Sequence, residues 1–122
     1  HGRVVAVEAD RVAARYARTN ARRNRLGGLE VIAQVLESWI GTLPAGVARV
    51  VVDPPRAGLS SKVRKTLLER RPRRLTYVSC HPATLARDLR QLAGPYAVES
   101  VILLDMFPQT GHMETVVQLV LE

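Results

Sequence analysis

The run Leu75-Thr76-Tyr77-Val78-Ser79-Cys80-His81-Pro82-Ala83-Thr84-Leu85-Ala86-Arg87-Asp88-Leu89 passes from a β-prone segment into a helical one within a few residues. Arg74 to Ser79 is short, largely apolar and reads as a strand. Pro82 suits the first turn of a helix, where its missing N–H would have no partner anyway. Leu85, Leu89 and Leu92 then recur at helical spacing, and Gly94-Pro95 ends the helix. Cys80, the single cysteine of the chain, therefore lies at a strand-to-helix junction. The positive end of the helix dipole lies beside it and favours the thiolate. A lone cysteine is more often a small buried hydrophobe; the junction position argues instead for a nucleophile.

The alternation continues outward. Val4-Val5-Ala6-Val7-Glu8 reads as a buried strand ending in an acid. Asp10 caps a helix with Val12, Ala13, Tyr16, Ala17 and Ala21 on one side, and Gly27-Gly28 ends it. Leu29 to Ala33 is a second strand, Leu36 to Ile40 a short helix or turn, and Gly41 to Gly46 a loop. Ala48 to Val52 is a third strand, stopped by Pro54 and Pro55, which cannot donate ladder hydrogen bonds. Ser60 or Ser61 caps a helix with Val63, Leu67 and Leu68 inward. Tyr96 to Leu104 and His112 to Leu121 are strands with no helix between them, so they are expected to pair antiparallel. Strands alternating with helices define an α/β domain with a mainly parallel sheet. Residues 1–122 read as one domain, and a hydrophobic fraction of 47% supports a packed core.

Composition narrows the partners. A net charge of +7 points to a polyanion, with nucleic acid favoured over membrane. Arg-rich coding bias is the competing explanation, since only Lys62 and Lys65 are lysines among the 18 basic residues. One cysteine cannot form an internal disulfide, which fits a reducing cytoplasm. No apolar run reaches the roughly 18 residues that a membrane helix needs. The chain does not begin with Met and enters a strand almost at once, so a longer parent is expected.

Four further residues are candidates. Glu8 ends its strand, where an acid in a doubly wound fold commonly binds the ribose hydroxyls of a nucleotide-like cofactor; the competing reading is a helix-capping or surface acid. Asp53-Pro54-Pro55-Arg56 follows a central strand, and two prolines stiffen the backbone between an acceptor and a cationic fork. Such a pair could read the edge of a planar base. Glu114 opens an otherwise apolar strand and is either an exposed terminus or a partly desolvated base. His81 adjoins Cys80 without establishing a Cys-His dyad. No metal is expected, since Cys80, His81 and His112 lack ligand spacing.

Taken together these segments resemble the catalytic domain of the S-adenosylmethionine-dependent RNA 5-methyluridine methyltransferases. The resemblance rests on Val5-Ala6-Val7-Glu8 with Ala17 to Asn24, on Asp53-Pro54-Pro55-Arg56-Ala57-Gly58-Leu59, on Tyr77 to Leu89, and on Asp105-Met106-Phe107-Pro108-Gln109-Thr110-Gly111-His112-Met113-Glu114. It implies a Rossmann-like class I methyltransferase sheet with an antiparallel C-terminal strand pair. It implies that Cys80 attacks C6 of uracil, that C5 then accepts a methyl group from S-adenosyl-L-methionine, and that Glu114 removes the C5 proton. Asp53 and Arg56 would position the uracil, and Glu8, with Asp53, would contact the cofactor. The partner would be tRNA or ribosomal RNA.

The departures carry their own expectations. The family's first strand, glycine-rich cofactor loop and first helix have no counterpart here, and Gly27-Gly28 is a helix end. That strand normally lies between the strands at Val4 to Glu8 and Ala48 to Val52. The chain is thus expected to be a partial catalytic domain, inactive alone, with strand edges exposed or paired with another copy. Competing readings are a nucleotide-binding Rossmann-like domain, which needs neither Cys80 nor Asp53 to Arg56, and a non-catalytic RNA-binding module.

Overall fold

The computed structural model describes residues 2–106, 108–111 and 113–122, in two compact units that meet between Thr42 and Leu43. In the first unit, β1 (Val4–Glu8) and β2 (Leu29–Ala33) pair in parallel, with Val4 opposite Leu29 and Glu8 opposite Ala33. Between them runs α1 (Arg11–Arg23), capped by Asp10, whose Oδ1 accepts from the Val12 and Ala13 amides at 2.7 and 2.8 Å. The helix does not extend to Gly27-Gly28. Arg25 takes a left-handed conformation (φ 56), the Leu26 amide reaches back to the Ala21 carbonyl (2.9 Å) and the Arg25 amide to Arg22 (3.1 Å). That double closure is a Schellman motif formed on an arginine rather than a glycine, so glycine position misled the reading of the helix end. Then α2 (Leu36–Trp39) follows, and a 3₁₀ turn at Ile40–Thr42 takes up the start of the expected loop.

The second unit holds a four-stranded sheet in the order β3-β4-β6-β5: β3 (Arg49–Val52), β4 (Arg74–Ser79), β5 (Tyr96–Leu104) and β6 (Glu114–Leu121). β3 and β4 are parallel, whereas β6 runs antiparallel to both β4 and β5. Three of the four strands thus run one way and β6 runs against them. α3 (Ser61–Arg70) is capped by Ser60, and α4 (Pro82–Leu92) by His81. On β4 and β6 burial alternates: Leu75, Tyr77, Ser79, Thr115, Val117 and Leu119 are buried, and the residues between them half-buried. This is the period-2 pattern of a sheet with one face in the core.

The α/β class and the antiparallel terminal pair hold. Among the described residues β1 and β3 each have one ladder partner and belong to separate sheets. The expectations that touch Phe107 and His112, including a strand beginning at His112, lie outside the described residues; β6 is described from Glu114. Among the described residues no helix is long and apolar enough to cross a membrane.

Candidate active site

Parallel pairing of β3 and β4, with Val52 opposite Tyr77, brings the carboxyl ends of both strands to one end of the sheet. Asp53 and Arg56 follow β3 there, with exposed side chains, and Cys80 follows β4, half-buried. The segment after β3 is held mainly by its backbone. The Gly58 amide donates to the Pro55 carbonyl at 2.8 Å, and Gly58 sits at φ 78. The Thr84 hydroxyl donates to the Arg56 carbonyl (3.0 Å), and Arg87 Nη2 to that of Ala57 (2.8 Å). Both donors come from α4, the helix that Cys80 precedes.

Asp88 ties this arrangement together, and the sequence reading gave it no role. It is fully buried. Its Oδ2 accepts from the Leu59 amide and the Tyr77 hydroxyl, each at 2.7 Å. Its Oδ1 accepts from Arg64 at 3.0 Å and from Arg87 at 2.9 and 2.8 Å. Arg64 also donates to the Leu59 carbonyl. Burial pushes the Asp88 carboxyl up, but the bonds from Tyr77, Leu59 and Arg87 and the charge of Arg64 outweigh it and hold the group below the ordinary carboxylate range. Burial first, and then the Asp88 carboxylate, push the Tyr77 phenol up. A Cβ on Gly58 would stand 2.5 Å from Asp88 Oδ2 and 2.7 Å from Arg87 Nη2, so the loop needs glycine there for space as well as for φ. The signal was present in the sequence: Asp88 lies on the inward stripe of Leu85, Leu89 and Leu92, where a charge must be partnered.

His81 serves as the helix cap. Its Nδ1 accepts from the Thr84 amide at 3.4 Å, and its own amide donates to Ser79 Oγ at 3.1 Å. The first bond engages the ring in holding the start of α4, and the second ties the His81 backbone to Ser79.

Glu114 is the first residue of β6 and half-buried. The β4–β6 ladder pairs Arg74 with Val120 and ends at Ser79 opposite Thr115. Cys80 is the residue after that last pair on one strand and Glu114 the residue before it on the other. Within the ladder, the Thr76 hydroxyl donates to Gln118 Oε1 at 3.3 Å. The register thus brings Cys80 and Glu114 to one end of the second unit, where Asp53 and Arg56 also lie.

Glu8 belongs to the first unit and ends β1 there. Its Oε1 accepts from the Asp10 amide at 2.7 Å, so it supports the entry to α1. Gly27 and Gly28 precede β2, and the Gly28 carbonyl accepts from the Val4 amide (2.8 Å). They lie at the amino end of these strands, opposite to Glu8. Two clefts in the first unit, of about 380 and 430 Å³, are lined by residues such as Arg18, Arg22 and Leu29; neither is lined by Cys80, Asp53, Arg56 or Glu114.

This architecture is the α/β methyltransferase fold. A protein solved from Pyrococcus abyssi, a tRNA (uracil-54, C5)-methyltransferase in complex with S-adenosyl-L-homocysteine, superposes with a TM-score of 0.81 at 36% identity, covering 97% of this chain and 29% of that one. The family model for tRNA (Uracil-5-)-methyltransferase matches residues 44–121, and the chain belongs to that family. An uncharacterized RNA methyltransferase of Thermotoga maritima is 40% identical over 119 residues, which are 97% of this chain and 27% of the relative. A tRNA (uracil(54)-C(5))-methyltransferase of Pyrococcus horikoshii is 37% identical over 118 residues, 97% of this chain and 28% of the relative. The chain spans little more than a quarter of the length of these relatives.

Proposed function

We propose that these residues carry the nucleophile and proton acceptor of an RNA uracil-C5 methyltransferase. The observation that carries the reading is the antiparallel β4–β6 ladder, which ends at Ser79 opposite Thr115 with Cys80 and Glu114 as the next residues, at the end of the sheet where Asp53 and Arg56 emerge. The Cys80 thiolate adds to C6 of the uracil, forming an S–C6 bond and moving an electron pair toward C5 and O4. Bound S-adenosyl-L-methionine supplies the electrophilic methyl that the electron-rich C5 requires. Glu114 then takes the C5 proton, the C5–C6 double bond re-forms, and the thiolate leaves. Covalent addition splits one difficult step into easier ones, and a positioned carboxylate suits the proton transfer. Asp53 and Arg56, on a loop held by α4, orient the base. Reaching the thiol requires the base to leave its stack, at a cost of a few kcal/mol.

The residues present fit the cofactor in part. Glu8 keeps Oε2 for a ribose hydroxyl while Oε1 holds the Asp10 amide. Gly27-Gly28 lies at the wrong end of the strands to serve as a cofactor loop, so the 122 residues bind the cofactor weakly and do not turn over alone. The chain is then a partial catalytic domain, and its length relative to its kin supports this. A reducing compartment such as the cytoplasm fits the free thiol of Cys80. Among the described residues β3 has a single ladder partner, and with Val51 65% exposed its other edge is open to a second copy.

The test is Glu114→Gln in the full-length protein carrying this segment. Elimination is blocked, so a covalent complex with ordinary uridine-containing RNA accumulates, visible as a denaturation-resistant band. The same band with Cys80→Ser, or its absence with Glu114→Gln, contradicts the assignment.

A further inference from the structure

α1 carries five arginines and no acid in 13 residues. Arg11, Arg15, Arg18 and Arg22 recur at steps of four, three and four, so at 3.6 residues per turn they fall in one row along the helix, about 4.5–6 Å apart. All four are exposed. Arg18 is anchored, donating to the Val31 carbonyl through Nε at 3.2 Å and Nη2 at 2.9 Å. Beyond the helix the row continues to Arg25, and a cleft of about 380 Å³ is lined there by Arg18, Arg22 and Arg25 with Leu26 and Leu29.

Contacts within the chain account for part of this row, since Arg18 holds the Val31 carbonyl and the Arg15 guanidinium lies 5.6 Å from the Tyr16 ring centre, but the row as a whole carries a cost. Like charges at helical spacings of three and four repel, and Arg11 stands in the first turn, beside the positive end of the helix dipole. Arg22 and Arg23 suit the last turn, but the others do not gain from it. Arg25 occupies the left-handed closing position (φ 56), where glycine rests without strain. Coding bias alone would not align four guanidiniums on one side of one helix.

We propose that the α1 row is a binding surface for an RNA phosphate backbone, ending in the cleft beside Arg25. Guanidinium forks match phosphate oxygens, and the row's spacing lets neighbouring arginines meet neighbouring phosphates. The choice of RNA over another polyanion rests on the function proposed above. The surface itself does not involve Cys80, Glu114, Asp53 or Arg56.

The test uses the 122-residue chain and a fluorescently labelled single-stranded RNA, with anisotropy read from 50 to 300 mM KCl. Each lost phosphate contact flattens the log–log salt slope by about 0.7 for a single strand. The variant Arg11→Gln/Arg15→Gln/Arg22→Gln/Arg25→Gln is therefore expected to lower the slope by about 3 and the low-salt affinity by at least tenfold. The control Arg49→Gln/Lys62→Gln/Arg73→Gln/Arg90→Gln removes the same charge from the second unit and is expected to keep most of the slope. Equal losses in the two variants, no binding by the unaltered chain, or row-dependent binding to phosphatidylserine vesicles in place of RNA would each overturn the proposal. The anisotropy measurement contains no S-adenosyl-L-methionine and reads no methylation, so failure of the thiol chemistry leaves this result standing.

Discussion

The two units differ in what they bury. In the second, Tyr77, Leu67, Leu75, Leu92, Val63 and Val117 are shut from solvent, with Asp88 among them. In the first, the buried hydrophobics among the described residues are Ala14, Ala21 and Ile40, while Val4, Val12, Tyr16 and Leu26 stand more than half exposed. The two strands, α1 and the short α2 of this unit bury few large apolar side chains. The family match at residues 44–121 falls wholly within the second unit. The difference teaches where precision is kept. Cys80, Asp53, Arg56 and Glu114 sit on the element ends of the unit with the large core, whereas the arginine row needs only an exposed helix.

Removing the hub of the second unit should have the largest effect. Asp88→Ala leaves Arg64 partly buried without its carboxylate and strips Tyr77 and the Leu59 amide of their acceptor. We expect a loss of about 3–5 kcal/mol in chemical denaturation. An Asp88→Ala chain with unchanged stability would mean that the second unit does not depend on its buried network.

Acid should act through the same residue. The Asp88 carboxyl is held below its unfolded value, so its contribution is full above about pH 4 and is lost as pH falls through the folded value. Denaturation followed from pH 6 to pH 2 should show stability falling in that window, and Asp88→Asn should flatten the fall.

Gly58→Ala tests the loop without touching a charge. The added carbon meets Asp88 and Arg87 and must also adopt φ 78. A loss of about 1–3 kcal/mol is expected, measured by thermal unfolding. The first unit offers the smallest effect and the opposite sign. Arg25→Gly relieves the left-handed arginine and should gain roughly 0.5–1 kcal/mol, while weakening RNA binding.

The sequence made most elements legible because the local signals agreed. Apolar runs, Asp10 and Ser60 as caps, and Pro54-Pro55 as a stop coincide with the observed β1, α1, α3 and β3. The strand-to-helix junction at Cys80 was readable for the same reason. What escaped depended on distant partners. The inward place of Asp88 on its helix is a local pattern, but its partners Leu59, 29 positions away, and Arg64, 24 positions away, are not. The placement of β6 between β4 and β5 is set by packing rather than by order along the chain. The end of α1 was misplaced because arginine took a position that favours glycine.

The account stands or falls with the bond between Cys80 and a pyrimidine. The most direct measurement is mass spectrometry of the full-length protein after incubation with S-adenosyl-L-methionine and RNA containing 5-fluorouridine, whose C5 fluorine Glu114 cannot remove as a proton. The account predicts a stable adduct mapped to the peptide containing Cys80, carrying the RNA base and one added methyl group, and absent from Cys80→Ser. An adduct on another residue, or uridine methylation that survives Cys80→Ser, would contradict it.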